Sequence, residues 1–276
     1  MVIRMGKTVF MFPGQGSQYI GMGKEFYEQI PICKEVYDLA SEVTGLDIPA
    51  LCFEENEKIN ITEYTQICML ATGAAIYMAL EQNGYQPDVT AGLSLGEYGA
   101  LIASGVMTAE EAFELVRKRG IFMQEAVPAG GAMAAVLGLD AAAIEQICRE
   151  TAEQKGSEVS IANYNCPGQI VISGGSSASA GETCKASGAK RVVPLKVSGP
   201  FHSKMLQGAG EKLKEELKKV EISDSFVPYI ANVTADYVTK KEEVKPLLAS
   251  QVSSSVRWQQ TIERLLADGA DEFVEI

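Results

Sequence analysis

The sequence predicts an α/β protein in which a small βαββαβ unit interrupts a larger domain. An apolar run at 7–12, stopped by Pro13 and Gly14, indicates a buried strand. A second apolar run at 88–93 passes directly into a helical pattern. Between 130 and 197, strands and helices alternate in the order of the ferredoxin-like split unit. We therefore expect residues 1–128 and 198–276 to form the large domain and residues 129–197 a ferredoxin-like subdomain.

Hydrophobic periodicity predicts each element in turn. The first part of the large domain is expected to contain a strand at 7–12, helices at 18–44 and 64–84, a strand at 88–93, a helix at 97–104, and a helix that follows the N-cap Thr108 and ends near 125. The subdomain is expected to contain strand 131–139, helix 140–153, strands 158–163 and 169–173, helix 177–187 and strand 190–197. The large domain then resumes with helix 204–220, strand 227–232, helices 242–251 and 258–268, and strand 271–276.

Composition excludes several classes of function. The 276 residues are 46% hydrophobic and 22% charged, which is typical of a globular protein. The formal net charge of −12 disfavours nucleic-acid binding, because nucleic-acid-binding proteins usually carry a basic surface. No apolar run approaches the ~20 residues that span a bilayer, and the N-terminus lacks a signal-peptide pattern. We expect a cytoplasmic monomer that binds neither nucleic acid nor membrane.

The cysteines do not indicate a metal site. There is no CxxC pair and no histidine close to a cysteine in the sequence. The six residues are scattered as Cys33, Cys52, Cys68, Cys148, Cys166 and Cys184. We expect free thiols and no bound metal.

The sequence GLSLG at 92–96 predicts a nucleophile elbow, in which a tight strand-to-helix turn exposes a serine hydroxyl. Glycines on both sides of Ser94 leave room for such a turn. The N–H groups at the start of the following helix would face a developing oxyanion. The alternative is a glycine-rich turn with an incidental serine.

His202 is the only histidine in the sequence, and it follows Gly199-Pro200 ahead of a helical pattern. A serine hydroxyl needs a neighbouring base to become a good nucleophile, and imidazole titrates near pH ~6.5. If Ser94 is activated in this way, His202 is the only imidazole that can serve. A buried or capping histidine without chemistry is the alternative.

A basic stretch stands out in this acidic chain. It contains Lys185, Lys190, Arg191 and Lys196. An acidic partner would need such a patch, although a solvated surface explains these residues equally well.

Five motifs occur in order along the chain: FPGQGSQ at 12–18, GLSLGEYGAL at 92–101, RG at 119–120 with MQEAVP at 123–128, NYNCPGQ at 163–169 and GPFHS at 199–203. Together they resemble the malonyl-CoA:acyl-carrier-protein transacylase family, the acyltransferases of fatty-acid and polyketide synthesis. The resemblance extends over essentially the whole chain. It implies an α/β-hydrolase-like core with an inserted ferredoxin-like subdomain.

The resemblance also implies catalytic roles. Ser94 matches the serine that becomes acylated, and His202 matches its base. The backbone N–H groups of Gln15 and Leu95 match the oxyanion hole, and the backbone carbonyl of Gln251 matches the group that orients the histidine. Such a dyad needs no aspartate, metal or redox cofactor.

Four further residues match substrate-binding positions. Arg119 matches the arginine that binds the free malonyl carboxylate, a task suited to a planar guanidinium. Without the resemblance, Arg119 would be interpreted as a solvated helix residue. Leu95 and Phe201 resemble the malonyl-selecting members, in which a bulky phenylalanine crowds a branched acyl group. Met123 and Asn163, which lie in two of the motifs, are the other candidates.

The chain departs from the family pattern at two points. Leu93 stands where the family usually has histidine, so any contact that this histidine makes near the pocket is lost. The family usually continues past the last strand through a turn and another helix, whereas this sequence ends at Ile276.

The function implied is transfer of a malonyl group from malonyl-CoA to the phosphopantetheine thiol of acyl carrier protein through a serine ester. Both fatty-acid synthesis and a free-standing polyketide acyltransferase remain open. A serine hydrolase or thioesterase on the same core is a further alternative, and so is a catalytically silent carrier-binding module.

Overall fold

The computed structural model describes residues 6–126, 131–197 and 199–276 and confirms the α/β class. The strands within these ranges are β1 (Lys7–Phe12), β2 (Val89–Gly92), β3 (Ala132–Leu137), β4 (Val159–Cys166), β5 (Gln169–Gly174), β6 (Arg191–Pro194), β7 (Tyr229–Ile230), β8 (Tyr237–Val238) and β9 (Ala270–Glu275). The helices are α1 (Lys24–Gln29), α2 (Pro31–Thr44), α3 (Ile48–Phe53), α4 (Thr62–Gln82), α5 (Gly96–Ala103), α6 (Ala109–Glu125), α7 (Ala141–Lys155), α8 (Ser177–Ala186), α9 (Gln207–Leu217), α10 (Lys241–Gln251) and α11 (Trp258–Ala267). Short 3₁₀ turns lie at Lys58–Asn60 and Lys204–Leu206.

The larger sheet has the strand order β8-β7-β2-β1-β9. Strands β7, β2, β1 and β9 are parallel, and β8 pairs antiparallel to β7 at one edge. Functional groups in such sheets gather beyond the carboxyl ends of the strands. Because β2 is the central strand, the residues that follow it lie in the middle of that edge.

The smaller sheet is antiparallel, with the order β4-β5-β3-β6. Its elements follow the chain as β3, α7, β4, β5, α8 and β6, and they enclose a core of their own that includes Val136, Ile144 and Ile172. The backbone N–H of Tyr164 donates to the carbonyl of Val256 at 2.9 Å, and this bond joins the small sheet to the segment before α11.

Helix α4 is apolar on nearly every side and shows little amphipathic periodicity. Most of its 21 residues are buried. It packs against α2 and α6 and passes close to β1, where a Cβ on Gly73 would lie 3.5 Å from the ring of Phe12. A helix that is covered on all sides is apolar all round.

The structure corrects the single helix expected at 18–44. Helix α1 ends at Gln29, Ile30 adopts an extended conformation with φ −120°, and Pro31 begins α2. A residue before proline is disfavoured in the α conformation, and proline fits the first turn of a new helix. The sequence analysis also missed α3 and β8, and the strand expected at 227–232 is reduced to Tyr229–Ile230.

The expectation of free thiols is confirmed, since none of the six cysteines forms a disulfide and Cys166 alone among them is exposed. In the part of the chain that the structure describes, no helix combines the length and apolar character that crossing a membrane requires.

Candidate active site

Ser94 occupies a strained turn between β2 and α5. Its φ of +54° is in the left-handed region that non-glycine residues rarely adopt. A Cβ on Gly92 would lie 2.0 Å from the backbone carbon of Gly96, and one on Gly96 would lie 2.0 Å from the carbonyl oxygen of Phe12. The turn therefore has no room for a side chain at either flanking position, as the GLSLG pattern predicted.

Ser94 and His202 lie within hydrogen-bond distance, although 108 residues separate them in sequence. The Oγ of Ser94 is 2.7 Å from Nε2 of His202, and Nδ1 of His202 is 2.9 Å from the backbone carbonyl oxygen of Gln251. Because a carbonyl can only accept, Nδ1 must carry the proton. The Nε2 lone pair is then free to take the proton of the serine hydroxyl.

The environment of His202 keeps its imidazole neutral. Burial lowers the pKa of His202 to about 4, with a further contribution from the positive charge of Arg119. The hydrogen bond to the carbonyl of Gln251 opposes this shift without overcoming it. At neutral pH the imidazole is therefore in the form that accepts a proton.

Arg119 is buried, with 1% of its surface exposed, so the solvated helix arginine expected from the residues alone is wrong. Its Nη1 donates to Oε1 of Gln66 at 2.7 Å, and its Nη2 donates to Oε1 of Gln251 at 2.9 Å. The same Nη2 is 3.3 Å from Oγ of Ser94. Two amide oxygens thus hold a guanidinium beside the serine hydroxyl.

The loop that contains Gln15 packs against the elbow. A Cβ on Gly14 would lie 2.7 Å from the carbonyl oxygen of Leu93. The side chain of Gln15 donates to Oγ1 of Thr62 at 3.1 Å, which fixes the loop to α4. Among the described residues, neither the N–H of Gln15 nor that of Leu95 has a hydrogen-bond acceptor. Both donors are available to an oxyanion.

A cavity of about 420 Å³ opens beside Ser94, between the large and small parts of the chain. Its walls include the other predicted residues Gln15, Met123, Asn163, Phe201 and His202. The remaining lining residues are Gly14, Ser17, Gln66, Leu93, Met133, Asn165, Gln169, Leu195, Val197 and Trp258.

The side chain of Leu95 does not reach this cavity. It is 1% exposed and packs behind the elbow, near Phe12, Met69 and Leu70. The likeness of Leu95 to the malonyl-selecting members therefore does not correspond to a contact of its side chain with this cavity. The turn directs the side chains of consecutive residues in different directions, so Leu95 can contribute only its backbone N–H to the site.

Three buried polar residues of the site were missed in the sequence. Gln66 holds Arg119, Asn232 accepts a hydrogen bond from the N–H of Ser94, and Glu97 accepts one from Gln251. A polar amide within the apolar helix α4 was a signal for Gln66, because buried polar groups require partners. Asn232 could have been found from its position just after β7, the strand next to β2, because functional groups gather at that edge of the sheet.

The neutral state of His202 can be measured directly by NMR, because the chain has one histidine and hence one imidazole signal. From the pKa of about 4, we expect the imidazole chemical shifts to stay constant from pH 8 to about 5.5 and to change only at lower pH. Removing the neighbouring positive charge in Arg119→Met should raise the midpoint. A wild-type midpoint near 6.5 would contradict this assignment.

The same shift has a consequence for stability. Because the folded-state pKa of His202 is below that of the unfolded chain, unfolding takes up a proton between about pH 6.5 and pH 4. The contribution of His202 should therefore lower the free energy of unfolding as pH falls through this window.

Comparisons with known proteins identify the family of this chain. The acyl transferase domain family matches residues 9–276. Malonyl CoA-acyl carrier protein transacylase of Bacillus subtilis is 49% identical, over 99% of this chain and 87% of the relative. The protein of the same name from Escherichia coli K12 is 42% identical, over 99% of this chain and 89% of the relative.

Solved structures of related proteins also resemble this chain in fold and in sequence. The crystal structure of MCAT from Streptococcus pneumoniae has a TM-score of 0.93 and 48% identity, covering 98% of this chain and 88% of that one. A complex of a type II PKS acyl-carrier protein with its malonyl-transacylase has a TM-score of 0.93 and 38% identity, covering 98% and 88%. The chain belongs to the acyl transferase family that its motifs resemble, the malonyl-CoA:acyl-carrier-protein transacylases, and it is an acyltransferase.

Proposed function

We propose that this protein transfers a malonyl group from malonyl-CoA to the phosphopantetheine thiol of an acyl carrier protein. In the first step, His202 takes the hydroxyl proton while Oγ of Ser94 attacks the thioester carbonyl. The oxyanion accepts hydrogen bonds from the N–H groups of Gln15 and Leu95. The C–S bond then breaks, and His202 returns the proton to the departing CoA thiolate.

The second half-reaction reverses these roles. The phosphopantetheine thiol gives its proton to His202 and attacks the malonyl ester, and the same two N–H groups stabilise the second oxyanion. When the C–O bond breaks, His202 protonates Oγ of Ser94. The carbonyl of Gln251 holds the imidazole through both steps. No metal or redox cofactor takes part in this scheme.

One observation supports a malonyl group above other acyl groups. In a malonyl ester of Ser94, a single methylene separates the ester carbonyl from the free carboxylate. Nη2 of Arg119 lies 3.3 Å from the serine oxygen, so the guanidinium is within reach of that carboxylate. A buried cation would be an unfavourable neighbour for the uncharged acyl chain of a typical esterase substrate. This favours the transferase over the hydrolase or thioesterase.

The cavity walls suggest how branched acyl groups are excluded. Phe201, Met123 and Asn163 line the space around the nucleophile. Crowding by Phe201 would disfavour an α-methyl group by about 1–3 kcal/mol. Leu93 also lines the cavity, where the family usually has histidine, so it gives an apolar contact in place of a hydrogen-bonding one.

The arrangement of sheets supports the finer description of the fold. We assign an α/β-hydrolase-like domain to residues 1–128 and 198–276 and a ferredoxin-like subdomain to residues 129–197. The boundary at 128–129 and residue 198 lie outside the described residues. The separate core of the small sheet and its antiparallel order support this division. We further propose that the protein acts as a monomer in the cytoplasm, in fatty-acid synthesis, with a type II polyketide pathway as the second candidate because of the structural match to that carrier complex.

Intact-mass analysis tests the reaction. After exposure to malonyl-CoA, the protein should gain one malonyl group, and Ser94→Ala should gain none. Arg119→Ala should lower the rate of malonyl transfer about 100-fold, because charge-assisted hydrogen bonds worth roughly 1.5–3 kcal/mol each are lost. Its acetyl transfer should change far less.

Equal losses of malonyl and acetyl transfer in Arg119→Ala would refute the role of this arginine. Rapid release of malonate in the absence of carrier protein would identify a hydrolase instead. A wild-type protein that never gains the malonyl mass would support a silent carrier-binding module.

The basic stretch supports a docking position for the acidic carrier. Lys185, Lys190, Arg191 and Lys196 are exposed, and none forms an ion pair with an acidic side chain of the described residues. Several lysines on the helices of the large domain do pair locally, for example Lys34 with Asp38. β6 is an edge strand, and Leu195 and Val197 just after it line the cavity. A carrier bound there would have its thiol arm next to the cavity mouth.

Charge reversal tests this position. Lys190→Glu with Arg191→Glu should raise KM for carrier protein about tenfold and leave KM for malonyl-CoA unchanged, and added salt should reduce the difference. The matched control is Lys24→Glu with Lys34→Glu, on α1 and α2. An unchanged KM, or an equal rise in the control, would mean that the basic stretch is only a solvated surface.

A further inference from the structure

The backbone of Ser94 is held on both sides by amide side chains. Its N–H donates to Oδ1 of Asn232 at 2.6 Å, and its carbonyl accepts from Nε2 of Gln251 at 2.9 Å. Nδ2 of Asn232 also donates to the carbonyl of Gly92 at 2.6 Å. These bonds span the residue whose φ is +54°, so they oppose relaxation of the turn.

The side-chain amide of Gln251 and the backbone of Asn232 both donate to one buried carboxylate. Oε2 of Glu97 accepts from Nε2 of Gln251 at 2.7 Å and from the backbone N–H of Asn232 at 3.2 Å. Glu97 is 1% exposed, and no other aspartate or glutamate among the described residues is buried. Burying a carboxylate is costly unless hydrogen bonds and charges compensate it. Its position indicates that the site requires an acceptor there.

Glu97 also determines which end of the Gln251 amide faces Arg119. An amide side chain has one acceptor oxygen and one donor NH₂ group. Because Nε2 is directed to Glu97 and to the carbonyl of Ser94, Oε1 is left facing Nη2 of Arg119. In the opposite orientation, two donors would meet.

We propose that Glu97 is a positioning residue. It anchors the backbone of Asn232 and the side-chain amide of Gln251, and these two residues in turn fix the strained backbone of Ser94 and the acceptor for Arg119. Fixing the backbone of Ser94 matters for any reaction in which Ser94 is the nucleophile. Fixing the acceptor for Arg119 rests on the proposed function, because this arginine is the residue assigned to the malonyl carboxylate.

The positioning role of Glu97 depends on its hydrogen-bond acceptor oxygen more than on its negative charge. Burial raises the pKa of Glu97 to about 7, against the opposing effects of Gln251, Asn232 and Arg119. The other titratable groups around it are Tyr98 on the same helix and Tyr229 on β7. A protonated carboxyl retains an acceptor oxygen, so the backbone N–H of Asn232 and Nε2 of Gln251 keep their partner in either protonation state.

Three variants separate the acceptor from the charge. Glu97→Gln keeps an acceptor at the same distance without the charge, Glu97→Asp keeps the charge but withdraws it by one methylene, and Glu97→Met keeps neither. Glu81→Gln is the matched control, since its carboxylate accepts from Tyr77 away from the site. The readouts are the rate at which a fluorophosphonate probe labels Ser94, kcat and KM for malonyl-CoA, and the thermal midpoint.

We expect Glu97→Gln to retain activity within about fivefold. Glu97→Met should lose roughly 100-fold in labelling rate and kcat, the size of effect that displacing a reacting group by about 1 Å can produce. Glu97→Asp should lie between them and serves as the test if the methionine variant does not fold. In a double-mutant cycle, Asn232→Ala should add little to the loss in Glu97→Met, because both remove the same support.

Four results would overturn the inference. They are unchanged labelling in Glu97→Met and Glu97→Asp, better retention by Glu97→Asp than by Glu97→Gln, a loss in Glu97→Met no greater than that in Glu81→Gln, or fully additive effects of Glu97→Met and Asn232→Ala. Because the probe reacts with any activated serine, labelling tests the inference even if malonyl transfer is absent. Labelling of the wild type without malonyl transfer would instead refute the proposed function.

Discussion

The left-handed backbone at Ser94 is the constraint on which the rest of the site depends. Holding a non-glycine residue in such a conformation costs about 1–3 kcal/mol, so the surrounding structure has to enforce it. The absence of side chains at Gly92 and Gly96 permits the close approach of β1, β2 and α5. The hydrogen bonds from Asn232 and Gln251 then hold the turn. As a result, the hydroxyl lies beyond the central strand, facing the cavity.

In the proposed mechanism, the buried guanidinium of Arg119 links substrate recognition to base chemistry. Arg119 is held by the amide oxygens of Gln66 and Gln251, and it keeps a donor next to the serine oxygen. Its positive charge also adds to burial in lowering the pKa of His202. Gln251 connects the two functions, since its side chain binds Arg119 and its backbone carbonyl binds the imidazole. Under the proposed mechanism, displacing either residue would disturb both recognition and proton transfer.

Local patterns in the sequence predicted the dyad and most of the elements, because an elbow and a solitary histidine are local signals. The break at Ile30 was also predictable from Pro31. The burial of Arg119 was not, because the side of α6 that faces the site depends on how α4 packs against it. Nor could the sequence place the side chain of Leu95 behind the elbow. The network around Glu97 joins segments up to 154 residues apart, so no local pattern contains it.

A crystal structure of the malonylated enzyme would test the central claim, that the elbow presents an acyl group to a buried guanidinium. The account predicts an ester on Oγ of Ser94 whose free carboxylate lies about 2.7–2.9 Å from the guanidinium nitrogens of Arg119. It further predicts an ester carbonyl oxygen directed at the N–H groups of Gln15 and Leu95. A carboxylate directed to solvent, with Arg119 bonded only to its two amides, would contradict it.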